Sequence, residues 1–199
     1  MNSRAIDLIK NRRTQYVLGK QLPISNAETT ELIEAAIKHS PSSFNSQSSR
    51  AVILFGEQSV KFWKIVEEGL RKIVPAEAFA PTEQKLAAFA AGAGTVLFFE
   101  DQDTVKGLQE KFPLYAENFP VWSEHASGIA QFAVWTALAD AGIGASLQHY
   151  NPVVDAEVHA QWQLPASWKL RAQMPFGSNE GPIGEKTFMD DAERFRVYG

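Results

Sequence analysis

Cysteine is absent from this chain, and that excludes disulfides, thiolate nucleophiles, Cys-ligated zinc and Cys-ligated iron–sulfur clusters. The same absence fits a reducing compartment, so a cytoplasmic location is expected. A basic excess is missing too. The 19 Lys and Arg against 23 Asp and Glu leave a net charge of −4, which argues against a nucleic-acid or anionic-membrane surface. Long apolar runs are scarce. Met1 to Lys20 is charged and has no signal-type core, and the most apolar stretch, Val121 to Ile143, is broken by Ser123, Glu124, His125, Gln131 and Asp140. Neither a signal peptide nor a membrane span is expected. There is no dinucleotide fingerprint, no Walker loop and no Gly-x-Ser-x-Gly elbow. His39, His125, His149 and His159 share no ligand spacing with one another or with carboxylates on one helix, so no metal site is expected.

What is present suits one domain with a real core, or a protomer of an intimate dimer: 199 residues, 45% of them hydrophobic. Apolar spacing predicts helices over Ser3–Leu18, Ala27–Lys38 and Ser59–Val74, then over Thr82–Ala91 and around Thr104–Lys111. It predicts strands at Ala51–Phe55, Thr95–Phe99, Ala145–Leu147 and Lys169–Phe176, and a helix over Pro152–Gln161. Trp122–Ala141 reads as a helix that is apolar on nearly every side. Such a helix must be covered all round, as a central core element or at a subunit interface. Helices and single strands interleave with no linker or repeat, which gives one α+β domain over residues 1–199.

Two segments carry chemistry. Arg12-Arg13-Thr14 offers forked cations suited to a phosphate, although a basic helix end is also favoured by the helix dipole alone. Pro41-Ser42-Ser43-Phe44-Asn45-Ser46-Gln47 offers hydroxyls, carboxamides and loop N–H groups without net charge. That set can grip the edge of a polar heterocycle, although Ser, Asn and Pro are also ordinary loop residues. Together the segments could hold the two ends of one molecule. Phe112, Tyr115, Phe119 and Trp122 form an aromatic-rich stretch that can be core or the cover of a flat ligand.

A basic turn, one helix, then Pro-Ser-Ser-Phe-Asn-Ser-Gln and a buried strand resembles the nitroreductase family of FMN enzymes. Glu117–Ser123, Trp135–Leu138 and Leu147–Pro152 resemble its fatty-acid-repression and copper-induced branch. The resemblance implies a central mixed, mostly antiparallel sheet flanked by helices in an intertwined homodimer. It implies FMN held by Arg12, Arg13, Thr14 and Lys186 at the phosphate, and by Ser146 and Leu147 at the ring. Pro41, Ser42, Ser43, Asn45 and Gln47 would reach the partner's flavin. Tyr16 stands near N1 of the ring where many members carry a cation, and Phe188 stands where a second phosphate-binding base often lies. Tyr115, Trp122 and His149 are the implied contacts to a planar substrate. The implied activity is electron transfer from NADH or NADPH to nitroaromatics or quinones by a ping-pong hydride mechanism, in oxidative or metal stress defence. No catalytic side chain is required of the protein, because the flavin carries the reaction. A flavin-binding regulatory or storage protein without turnover is the alternative.

Overall fold

The computed structural model of the chain describes residues 3–199. Two strands form its centre: β3 (Gly94–Asp101) and β5 (Trp168–Asn179) pair antiparallel, as do β3 and β2 (Ser49–Phe55). Two short strands, β1 (Leu18–Gly19) and β4 (Gly144–Ala145), both pair with β5, so the order is β1-β5-β3-β2 with β4 off that path. Every ladder is antiparallel, and the parallel contact among the described residues is an isolated bridge between Thr14 and Ala145.

Helices flank both faces: α1 (Arg4–Asn11), α2 (Asn26–Lys38) and α6 (Phe119–Asp140) on one, α3 (Glu57–Arg71), α4 (Ala80–Ala90) and α7 (Asp155–Trp162) on the other. The remaining helices are α5 (Gln102–Lys111) and the short α8 (Asp191–Arg194). Successive residues of a strand point to opposite faces, and β3 shows the consequence. Val96 and Phe98 enter a core with Ile33, Val134, Leu138 and Met174, while Leu97 and Phe99 enter another with Phe62, Trp63, Phe89 and Leu170. A strand buried on both faces reads as a continuous apolar run, which is why β3 shows no alternation. Full burial of a side chain such as Phe62 stabilises by about 1.5–3 kcal/mol.

The first helix is shorter than its apolar pattern predicts. It stops at Asn11, and Arg12 is extended, with φ −66° and ψ 111°. Residues that would have continued it are claimed by the sheet: Gln15 N–H donates to the Ala145 carbonyl at 2.9 Å, and Leu18–Gly19 pairs with Ser178–Asn179. Long-range pairing here wins over local helix preference. Gly177 permits it, because a Cβ there would overlap the Gly19 carbonyl. The predicted strand 145–147 is likewise reduced to Gly144–Ala145 plus a bridge from Gln148 to Gln173. The predicted helix at Pro152 begins at Asp155, after a turn in which Val153 N–H bonds the Tyr150 carbonyl.

The long helix α6 ends at Asp140, capped by Ala141, and Gly142 just beyond has a φ of +74° that suits glycine as the helix stop. It buries Ala126, Ala130, Val134 and Leu138, but Val121, Ile129 and Phe132 are exposed, as are Ile6 and Ile9 of α1. One apolar side of this layer is therefore uncovered within the chain. Among the described residues no helix is long and apolar enough to cross a membrane. Among the same residues no group of three or more His, Cys, Asp or Glu is placed to hold a metal ion.

Candidate functional site

The basic turn is fixed by the sheet's edge. Thr14 bridges to Ala145 and Gln15 bonds the same residue, so residues 12–15 lie along 143–147. Arg12 stacks on the ring of Trp135, with its guanidinium carbon 4.2 Å from the ring centroid. Trp135 in turn donates from Nε1 to the Ala145 carbonyl at 3.2 Å. The Arg12 Nη1 is buried and has no hydrogen-bond partner. Burial, and secondarily the charge of Arg13, holds its pKa below the ordinary arginine value. A buried cationic donor without an acceptor is a costly arrangement unless an anion completes it.

Arg13 reaches the C-terminal segment, where Nη2 donates to the Gly184 carbonyl. This brings the segment carrying Lys186 near the turn; Lys186 itself lies over Phe188, with Nζ 5.2 Å from the ring centroid. A cavity of about 150 Å³ beside the turn is lined by Arg13, Gln15, Gly142, Gly144, Asn179 and Ile183. Ser146 is fully buried; its N–H bonds the Pro175 carbonyl at 3.3 Å and its hydroxyl accepts from Gln148 Nε2 at 3.1 Å. Ser146 and Gln148 both pair toward β5, so the backbone of Leu147 between them is directed to the opposite side. Tyr16 is exposed, its ring 6.5 Å from that of Phe89.

The polar loop is built differently. Phe44, Asn45 and Gln47 all have positive φ, at 56°, 50° and 49°, a region that costs non-glycine residues energy and persists where other contacts impose it. Ser42 organises the loop. Its carbonyl accepts from Asn45 N–H at 2.9 Å and its hydroxyl accepts from Gln47 N–H at 2.9 Å. Among the described residues, the side chains of Ser43, Asn45 and Gln47 have no hydrogen-bond partner. Phe44 carries the loop onto the aromatic stretch, with its ring 6.1 Å from Tyr115 and 6.2 Å from Trp122, nearly parallel to the latter. Tyr115 and Trp122 are themselves 6.0 Å apart.

Beside this cluster a cavity of about 300 Å³ lies between Pro41, Ser42 and Ser43 on one wall and Trp122, His125, Ala126 and Ile129 on the other. A neighbouring cavity of about 430 Å³ includes Pro41, Ser42 and Gln47 with Arg50 and Trp168. His125, one helical turn after Trp122, was available to sequence reading as its i+3 neighbour. Arg50 and Trp168 carry no comparable signal, because only the pairing of β2, β3 and β5 brings them together. No ring contact joins His149 to Tyr115 or Trp122 among the described residues. Its charged neighbour is Arg171, which pairs with Glu124 at 2.7 Å, and burial first, then Arg171, lowers its pKa.

The chain thus presents two groups of candidate residues that do not meet. From Trp122 to Trp135 the axis of α6 runs about 20 Å, with the aromatic loop cluster at one end and the basic turn at the other.

Residues 9–178 match the Nitroreductase family. Among curated relatives, HBN1 of Saccharomyces cerevisiae is 39% identical over 187 residues, covering 92% of this chain and 93% of the relative. The nitroreductase FRM2 of the same yeast is 34% identical over 188 residues, covering 94% and 93%. Among solved structures, nitroreductase CinD from Lactococcus lactis, in complex with 4-nitrophenol, has 52% identity and a TM-score of 0.90 over 98% of this chain and 100% of that one. The same enzyme has been solved in complex with chloramphenicol.

Proposed function

The chain belongs to the nitroreductase family, and from that premise we propose that it is an FMN-dependent oxidoreductase, one domain over residues 1–199, acting as an intertwined homodimer in the cytoplasm. FMN, when bound, supplies the redox chemistry, taking hydride from NADH or NADPH and passing electrons to a nitroaromatic or quinone acceptor in a ping-pong cycle. A part in oxidative or metal stress defence belongs to the same reading. The nitro compounds seen on the Lactococcus relative support the acceptor class.

The observation that carries this reading is the buried, unpartnered Nη1 of Arg12. A phosphate accepts from a guanidinium at short distance and removes the cost of its burial, so the residues present fit FMN. Arg12, Arg13, Thr14 and Lys186 would hold the phosphate. The backbone at Ser146 and Leu147 would lie along the ring, with Tyr16 near its N1 edge. The loop residues Pro41, Ser42, Ser43, Asn45 and Gln47 would come from the second chain, because within one chain the loop packs through Phe44 on Trp122, about 20 Å along α6 from the Trp135 on which Arg12 stacks. The groove that includes Leu8, Ile9, Ile129 and Phe132, about 530 Å³, supports such a partner by leaving apolar surface uncovered. Tyr115 and Trp122 would cover the acceptor, and His149 would stand at its rim. No side chain is asked to attack the substrate; the protein binds, orients and excludes water.

An absorption spectrum of the protein after incubation with FMN tests this. A bound-flavin spectrum should bleach with NADH or NADPH under anaerobic conditions and return on addition of a quinone. Flavin that neither nucleotide bleaches would favour a binding or storage protein, and failure to take up FMN would refute the cofactor assignment.

A further inference from the structure

Alternation along β3 turns Glu100 to the α6 side, the side of Phe98. There it is fully buried. No cation pairs with it among the described residues; the nearby Arg50 pairs with Asp101 instead. Three serine hydroxyls meet the carboxylate. Ser48 Oγ donates to Oε2 at 2.6 Å, Ser123 Oγ donates to Oε2 at 2.7 Å, and Ser49 Oγ donates to Oε1.

The donors come from separate places. Ser48 and Ser49 follow directly on the strained loop, and Ser123 sits on α6 next to Trp122. Ser43, Ser46 and Ser48 meet Phe119, Trp122 and Ser123 around a gap of only about 10 Å³, so loop and helix are closed against each other just above the carboxylate. Beyond that seam opens the cavity between Pro41–Ser43 and Trp122–Ile129. For stability alone, apolar packing would serve as well as a buried charge. What the carboxylate adds is geometry: several short charge-assisted bonds of fixed direction. The loop also needs outside contacts to hold Phe44, Asn45 and Gln47 at positive φ.

We infer that Glu100 is a positioning residue for the acceptor cavity, holding the Pro41–Gln47 wall and the Trp122 wall at a fixed separation without touching the acceptor. The inference rests on the proposed reading of Trp122 as a cover of the acceptor and of the loop as the flavin-side wall of the same cavity. Ser123→Ala tests it, since it removes the helix-side donor and leaves both loop-side donors in place. Hydrogen exchange at residues 42–47, which Ser123 does not bond, should speed up about tenfold, and the Kd for 4-nitrophenol on the FMN-loaded protein should weaken about tenfold. FMN affinity should change less than the affinity for 4-nitrophenol, because the phosphate contacts at the basic turn are untouched. Glu100→Gln, which keeps one acceptor oxygen, should fall between wild type and Glu100→Leu in both readouts. Exchange changes confined to α6, with loop exchange and Kd as in wild type, would make Glu100 a merely structural residue. The loop exchange needs neither flavin nor acceptor, so it separates this inference from the redox reading. Wild-type protein that binds FMN but no 4-nitrophenol would overturn the role of the cavity and, with it, that of Glu100.

Discussion

The basic turn and the polar loop solve opposite problems. Residues 12–15 are held by backbone bonds to β4 and by the Trp135 ring, and one guanidinium nitrogen is buried without an acceptor. Residues 41–47 have strained backbone and unpaired side chains, and are held by Ser42 and by serines that anchor on Glu100. The first is a rigid place short of an anion. The second is a tensioned surface with donors and acceptors free to turn toward a ring. Their contacts on α6, Trp135 and Trp122, lie about 20 Å apart along the helix, and on that separation rests the proposal that two chains share one cofactor.

The comparison breaks most sharply at Arg12. Arg12→Ala should weaken FMN binding by about 2–3 kcal/mol, the range for losing a buried charge-assisted partner. Fluorescence titration of the apoprotein with FMN measures this, and Arg12→Lys should recover only part of it because lysine cannot fork. Next is the attachment of the turn. Gly177→Ala places a methyl against the Gly19 carbonyl and should destabilise the fold by about 1–3 kcal/mol in urea unfolding. A change on the loop should be smaller. Ser42→Ala deletes the acceptor of Gln47 N–H and should cost about 0.5–1.5 kcal/mol, with acceptor affinity falling before FMN affinity does. The smallest effect lies at His149. Its folded pKa is below the ordinary 6.5, so the unfolded chain takes up the proton first. Stability should therefore fall as pH drops through 6.5 and level off below the folded value. NMR titration should show Arg171→Met raising the midpoint only part way, because burial is the larger cause.

The legible parts of the fold were those set by local pattern. The runs at Thr95–Phe99 and Lys169–Phe176 stand in the centre of the sheet, and Pro41 ends the second helix one turn after Lys38. What was not legible depended on distant partners. Nothing local in Thr14–Leu18 says that β4 and β5 will take those residues out of the helix, and nothing in Glu100 says that three serines from two segments will surround it. The basic turn and the polar loop could be picked out as chemistry because their residue types are unusual together. Trp135 beneath Arg12 was hidden because on a helix this apolar any position looks like core, whereas His125 beside the loop could have been found from its place one turn after Trp122. Tyr115 and Trp122 do gather with Phe44, whereas His149, chosen by its place after Leu147, shares no ring contact with them.

The central claim is that turn and loop meet across two chains, and complementation tests it directly. An Arg12→Ala chain and a chain with Asn45→Ala and Gln47→Ala, carrying different tags, would be coexpressed and the mixed dimer purified through both tags. If the site is shared between chains, the mixed dimer has one site with every lesion and one with none. NADH-dependent quinone reduction should then return to about half the wild-type rate. A mixed dimer no more active than either variant dimer would mean that each chain completes its own site, and would contradict the arrangement proposed here.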